Sequence, residues 1–304
     1  MKKARSRRRR IWLLVYLALL LASTIVRHSI PPAALPQGMR TVSLRTVDND
    51  QAAPGRIKLA FVDTAPDSTS MPVVLVHGSP GSSHIFEAVT AGLSDHFRAI
   101  VPDLPGFGAS THALPDYSFR AHARYLLELF DALQIRRVQL VGFSMGGGVV
   151  LSLADMAPER VASIVMLSAI GVQEQELLGN YYANHILHAA QLGALWLLRE
   201  AAPHFGLLDG VGLNVEYARN FYDSDQRPLR SVLRNYKGAM LIIHGKRDPL
   251  VPLAAALEHH RLATQSELEI FDDNHFMMFQ RPEVVLQPLT EFLQRTMQMA
   301  RPVD

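Results

Sequence analysis

Val138-Gln139-Leu140-Val141-Gly142-Phe143-Ser144-Met145-Gly146-Gly147-Gly148-Val149-Val150-Leu151 is the stretch against which the rest of the chain is read. It opens with an apolar run that reads as a buried strand and closes in a run that reads as a packed helix. Between them lies Gly-x-Ser-x-Gly. A serine pinched between strand and helix takes a strained backbone, and its neighbours must be small for the turn to close. Gly142 and Gly146 meet that need and leave the Ser144 hydroxyl exposed at the turn. The stretch holds no Gly-x-Gly-x-x-Gly and no Gly-Lys-Ser/Thr, so a phosphate-binding turn fits poorly. A nucleophilic Ser144 demands a base, an acid and oxyanion donors elsewhere in the chain.

Outward from this centre, apolar runs at residues 41–47, 57–64, 72–77 and 97–101 read as strands on the N-terminal side. Residues 160–168, 239–244 and 267–271 follow on the C-terminal side. Helical patterns at 83–94, 118–133, 253–263 and 282–299 fall between and after them; Ser118 suits a cap, and Pro282 suits a first turn. Strands alternating with helices predict an α/β fold, its mostly parallel sheet covered on both faces, with the first two strands as an antiparallel entry. Residues 171–236 break the alternation. They carry a helical pattern rich in Tyr181, Tyr182, Leu187, Leu192, Leu195 and Trp196, and are far longer than one crossover needs, so they read as a helical insertion over the strand ends.

The base is expected after the last strand, where α/β sheets put their chemistry. His275, in Asp272-Asp273-Asn274-His275-Phe276, stands there. Of the other histidines, His259 and His260 fall on a helix and read as solvated, while His185 and His188 in the insertion read as packing or surface residues. The acid must hold the imidazole in one tautomer and stabilise its charged form. Asp248, following the strand at 239–244, keeps the order Ser, Asp, His used with this type of turn; Glu174 is the runner-up. Oxyanion donors must be backbone N–H groups aimed at one point. Met145, next to Ser144 at a helix start, can supply one, and Ser79, in the turn His77-Gly78-Ser79-Pro80-Gly81, the other.

At 304 residues and 48% hydrophobic composition, the chain can build one large α/β core or two small ones. It has no cysteine, which excludes disulfides, thiolate metal sites and a cysteine nucleophile. The net charge of +2 belongs to the N-terminal tail, where Lys2, Lys3, Arg5, Arg7, Arg8, Arg9 and Arg10 crowd together. The remainder is mildly acidic, which argues against a nucleic-acid partner.

The basic run precedes an uncharged apolar run over residues 11–26. Residues 1–10 are expected as a cytoplasmic tail, 11–30 as a transmembrane signal anchor, and 31–40 as a proline-rich linker. The rest then lies on the periplasmic or extracellular side. Sixteen helical residues span only ~24 Å, short of a ~30 Å hydrocarbon core, although Arg27 can snorkel. A cleaved signal peptide and a secreted domain are the alternative, but no clean Ala-x-Ala follows the apolar run.

Taken together, the turn 77–81, the Asp103-x-x-Gly106-x-Gly108-x-Ser110 loop, the Gly142-Phe143-Ser144-Met145-Gly146 elbow, Asp248 and His275 resemble the α/β-hydrolase superfamily over residues 41–299. The resemblance implies an eight-stranded sheet, a helical cap between strands six and seven, and no cofactor. It also implies that His77 and Asp103 are structural. The core would comprise residues 41–170 and 237–304, and the cap 171–236. No residues are assigned to a metal.

Two departures from the family pattern stand out. Asn274 occupies the position before the histidine where glycine is usual. The turn is not the His-Gly-Gly-Gly type of many lipases, so a preference for large esters is not implied. Epoxide hydrolases and dehalogenases of this fold use Asp as nucleophile, and Ser144 argues against both. The expected function is a membrane-tethered serine hydrolase acting on a carboxylic ester of a small molecule; an apolar cap beside a membrane hints at a lipophilic one. A C–C bond hydrolase, an aminopeptidase or an acyl transferase on the same triad remain open, as does a binding module with a decayed site.

Overall fold

The structure is a computed structural model that describes residues 2–30, 34–49, 51–209 and 214–299. Parts of the expected tail, linker, insertion and core, at residues 1, 31–33, 210–213 and 300–304, lie outside the described residues. The chain begins with α1 (Lys2–Ser29), followed by β1 (Met39–Asp48), β2 (Gln51–Asp63), β3 (Val73–Val76), α2 (Glu87–Leu93) and β4 (Ala99–Pro102). Next come α3 (Phe119–Ala132), β5 (Val138–Phe143), α4 (Gly146–Met156) and β6 (Val161–Leu167). Then follow α5 (Tyr181–Ala201), α6 (Val215–Asp223), α7 (Leu229–Asn235), β7 (Ala239–Gly245), α8 (Leu253–Leu262), β8 (Glu267–Phe271), α9 (Met277–Gln280) and α10 (Pro282–Met299).

The strands form one eight-stranded sheet in the order β1-β2-β4-β3-β5-β6-β7-β8. β1 and β2 pair antiparallel, as do β2 and β4; from β4 to β8 every pairing is parallel. Side-chain alternation along the strands feeds two cores. Val74, Val76, Leu140, Ile164 and Ile242 point to the face covered by α3, α4, α7 and α8. Val73, Leu75, Val141, Val165 and Leu241 point to the face covered by α2 and α10. A strand buried on both sides needs a continuous apolar run, which is why β3, β5 and β7 read so plainly in the sequence.

The helix expected at 83–94 is split, with one 3₁₀ turn at Ser83–Phe86 before α2. Ser118 caps α3, its Oγ accepting from Ala121 N at 3.1 Å. Among the described residues, the segment between β6 and β7 holds three α-helices, but they do not act alike. Leu229, Val232 and Leu233 of α7 join the core beside α4, so α7 is part of the layer covering the sheet. His188 of α5 and Tyr217 and Phe221 of α6 instead line the cavity that Ser144 also lines.

One histidine departs from expectation. His259, expected in solvent, is buried, with Nε2 unpartnered and its ring against the backbone of Gly171. The reason is register: Ala255, Ala256, His259 and Leu262 share the inner face of α8. Burial pushes the His259 imidazole down to about 3, and burial, helped by nearby His77, does the same to His122 on α3. Both are therefore neutral in the folded chain, whereas the unfolded chain protonates them below its ordinary value of 6.5. Between about pH 6.5 and pH 3 the unfolded state binds the extra protons, so stability falls as pH falls through that window, at ~1.4 kcal/mol per pH unit for each histidine. Urea unfolding across that range should show the decline, and His259→Leu should flatten it; an unchanged slope in the variant would contradict this account.

Candidate active site

Ser144 sits where β5 ends and α4 is about to begin, with φ of +52°, in the left-handed region that serine rarely takes. The turn holds it there from both sides: Ser144 N donates to Leu167 O at 3.1 Å, and Ile170 N and Gly147 N donate to Ser144 O at 3.0 Å. The close approach of α4 to β3 explains why the neighbours must be glycine. A Cβ on Gly146 would lie 2.2 Å from the Val76 carbonyl oxygen. One on Gly78 would lie 2.9 Å from Ser144 Cβ, so the turn after β3 and the elbow meet without a side chain between them.

Asp248 and His275 come from loops at the ends of β7 and β8. Those loops are stitched by Lys246 N to Phe271 O and Arg247 N to Asp273 O, both at 2.8 Å. Asp248 Oδ2 lies 2.7 Å from His275 Nδ1, and both side chains are buried. The other carboxylate oxygen, Oδ1, accepts from Leu250 N and Val251 N at 2.8 Å. With an ionised carboxylate opposite it, Nδ1 carries the proton and donates, which leaves Nε2 with a free lone pair. The His275 ring packs 4.9 Å from the ring of Phe143, the residue just before Ser144.

The two expected oxyanion donors flank the same serine. Among the described residues, the Ser79 and Met145 N–H groups have no hydrogen-bond acceptor, and Met145 N lies at the start of α4, whose dipole favours negative charge. Ser79 and Ser144 both line a cavity of about 360 Å³. Its remaining wall is mainly apolar, with Ile170, Val172, Leu250 and Val251 from the core and Tyr217 and Phe221 from α6.

Other polar residues of the motif loops are engaged in local structure. His77 is buried; its Nδ1 donates to Gly78 O at 2.7 Å and its Nε2 accepts from Leu104 N at 2.9 Å, and burial lowers its pKa. Asp103 gives its oxygens to Ser83 N at 2.6 Å and Ala109 N at 2.7 Å. Asn274 serves where glycine was expected. Its Oδ1 accepts from Phe276 N at 2.7 Å in an Asx turn, and its backbone is not in the left-handed region, so nothing there requires glycine. Asp272 and Asp273 point away, to Arg247 and Arg281, and Glu174 pairs with Arg230.

Several site residues gave no sequence signal. His244, at the end of β7, donates from Nε2 to Val251 O at 2.9 Å and lies 3.7 Å from Asp248 Oδ2; burial lowers its pKa, so it stands beside the acid as a neutral group. His188 of α5 is buried in the cavity wall, 3.0 Å from Glu176 Oε1 and stacked on Phe221. Their roles depend on which loops and helices meet, and no local spacing encodes that.

Comparison with known proteins agrees with this fold. Residues 71–197 match the model of a family described as the alpha/beta hydrolase fold. The chain is 28% identical over 257 residues to a 2-hydroxy-6-oxo-2,4-heptadienoate hydrolase of Pseudomonas putida, covering 73% of this chain and 88% of that protein. The structure of a thermophilic esterase from Thermogutta terrifontis superposes with a TM-score of 0.69 at 25% identity, over 84% of this chain and 99% of that one. An esterase from Exiguobacterium antarcticum shares the fold, with a TM-score of 0.64 at 23% identity over 78% and 96% of the two chains.

Proposed function

From the premise that this chain belongs to the α/β-hydrolase fold superfamily and is a hydrolase of that type, we propose that it is a membrane-tethered serine esterase. The observations that support the reading are Ser144, held at the strand–helix turn on the wall of an apolar cavity, and the Asp248–His275 pair, whose imidazole packs on Phe143, the residue before Ser144. Ser144 Oγ attacks the ester carbonyl carbon and passes its proton to His275 Nε2, while Asp248 stabilises the imidazolium. The tetrahedral oxygen takes hydrogen bonds from Ser79 N and Met145 N, each such donor being worth ~2.7–4 kcal/mol of transition-state stabilisation. Collapse breaks the ester C–O bond, and His275 returns the proton to the leaving alkoxide. Water then attacks the acyl group, its proton going to His275 and on to Ser144 as the acid departs.

The apolar wall favours a lipophilic acyl or alcohol group. A second reading, hydrolysis of a C–C bond next to a carbonyl, is favoured by the likeness to the Pseudomonas putida hydrolase. The two separate on a substrate panel: p-nitrophenyl esters of graded chain length against a vinylogous diketone. An esterase cleaves medium-chain esters with the higher kcat/KM and leaves the diketone intact. Preference for the diketone would replace the ester reading, and failure of a fluorophosphonate to label the folded wild-type chain would remove both.

The tether rests on α1. Residues Arg5–Ser29 form a helix long and apolar enough to cross a membrane, although a signal sequence would pass the same test. The helix continues past the apolar run at both ends and spans ~42 Å over its full length. Cations precede the apolar run, which orients the hydrolase domain away from the cytoplasm.

A further inference from the structure

We propose that the helical insertion is itself a lipid-facing surface: the C-terminal half of α5 and the loop after it sit in the outer leaflet beside α1. This rests on the reading of α1 as a membrane anchor. α5 carries no Asp, Glu, Lys or Arg from Tyr181 up to Arg199. Its buried side, with Asn184 and His188, faces the protein and the cavity. Its outer side is as apolar as a core. Ile186 is 70% exposed, Trp196 58% and Leu197 59%, and Leu207 in the following loop is 83% exposed. A surface helix in water keeps its outer face charged or polar, and an apolar face of this extent marks a partner.

The contacts of α1 identify that partner as the bilayer. α1 is tied to this same end of α5. Tyr16 Oη donates to Ala201 O, Phe205 N donates to Ser23 Oγ at 2.8 Å, and Arg27 Nη1 donates to Arg199 O at 2.9 Å. Tyr16 and Ser23 fall inside the apolar run 11–26, the part of an anchor that lies in hydrocarbon. These contacts bring the end of α5 and the loop after it to the depth of the apolar run, and Leu197 and Leu207 stand on that same end and loop. The charges at this junction satisfy one another: Arg27 Nε lies 3.1 Å from Asp209, and Arg27 and Arg199 lie 3.9 Å from Glu200 and Asp209 respectively. Mutual pairing is what charged groups need where the membrane meets water, and a tryptophan at that level suits the interface. The roof of the Ser144 cavity would thus be seated in the leaflet, and a lipophilic substrate could pass from bilayer to site without crossing water.

The chain's lack of cysteine makes the test direct. Single variants Leu197→Cys and Leu207→Cys of the full chain, labelled with an environment-sensitive fluorophore, are reconstituted in phosphatidylcholine vesicles, with Leu17→Cys reporting on the anchor and Asp67→Cys as a remote control. Nitroxide-bearing lipids should quench the probes at 197 and 207 as strongly as the probe at 17, while the probe at 67 responds only to aqueous iodide. If 197 and 207 respond to iodide alone while 17 is quenched by lipid, the anchor stands and this proposal falls. If 17 is reached only by iodide, the anchor reading falls and this proposal falls with it. Protection from both quenchers at 197 and 207 would mean that a second protein copy covers the face, and would overturn the proposal.

Discussion

Ser144→Ala is expected to lower ester turnover on the order of 10⁶-fold and to abolish labelling by fluorophosphonates, with the fold intact. The loss is large because no neighbouring hydroxyl can substitute. Ser79 lines the same cavity, but its Oγ is buried, and its N–H is needed at the carbonyl oxygen. The fold survives because the turn is held by backbone bonds from Ile170 N and Gly147 N and to Leu167 O, none of which uses Oγ. Stability in urea should be unchanged or slightly raised, since a strained position selected for function is seldom the most stable one. Turnover within tenfold of wild type would remove Ser144 from the chemistry.

Asp248→Asn is expected to lower kcat ~10⁴-fold while changing KM little. The argument lies in the hydrogen bonds. Leu250 N and Val251 N both point at Oδ1, so an asparagine would turn its carbonyl oxygen there and present its NH₂ where Oδ2 had been. That NH₂ would face His275 Nδ1, now 2.7 Å from Oδ2. Two donors cannot share one contact, so Nδ1 would give up its proton and accept, and the neutral ring would carry its proton on Nε2. A ring protonated on Nε2 cannot receive the proton of Ser144. The backbone bonds are kept, so unfolding should change far less than activity. Asp248→Ala separates the two effects, because it also strands two N–H groups and should cost ~1–3 kcal/mol of stability for each one left buried and unpaired. Wild-type kcat in Asp248→Asn would exclude the tautomer argument.

Much of this architecture is legible in the amino-acid sequence. Buried strands announced themselves as unbroken apolar runs, and the elbow announced itself through glycines that leave no room for side chains. Ser118 was identifiable as a cap because capping is decided within three residues. Asp248 and His275 are legible as candidates because chain order and strand ends restrict where an acid and a base can stand, and their side chains meet at 2.7 Å. The departure at Asn274 proved harmless for a local reason that only the structure reveals, an Asx turn in place of a left-handed glycine.

The insertion was legible only in outline. Its helical pattern was apparent, but α5 buries the polar Asn184 and His188 and turns Ile186, Trp196 and Leu197 outward, so its hydrophobic period could not indicate which face meets the cavity. The same ambiguity concealed that α7 belongs to the sheet's covering layer. His188 and His244 acquire neighbours from segments distant in sequence, and His259 is buried because α8 turns that side of itself inward.

The amino-acid order by itself determined the α/β layering, the serine at the strand–helix turn, the order of its candidate partners and a long apolar N-terminal helix. Each of these follows from forces that act over a few residues: side-chain alternation, helix capping, steric demand at a turn and the transfer of apolar side chains out of water. Tertiary structure alone decided the walls of the cavity, the second histidine beside Asp248, and the contact of the N-terminal helix with α5. Those features come from segments that meet only when the sheet closes, and their positions are set by packing across the whole domain.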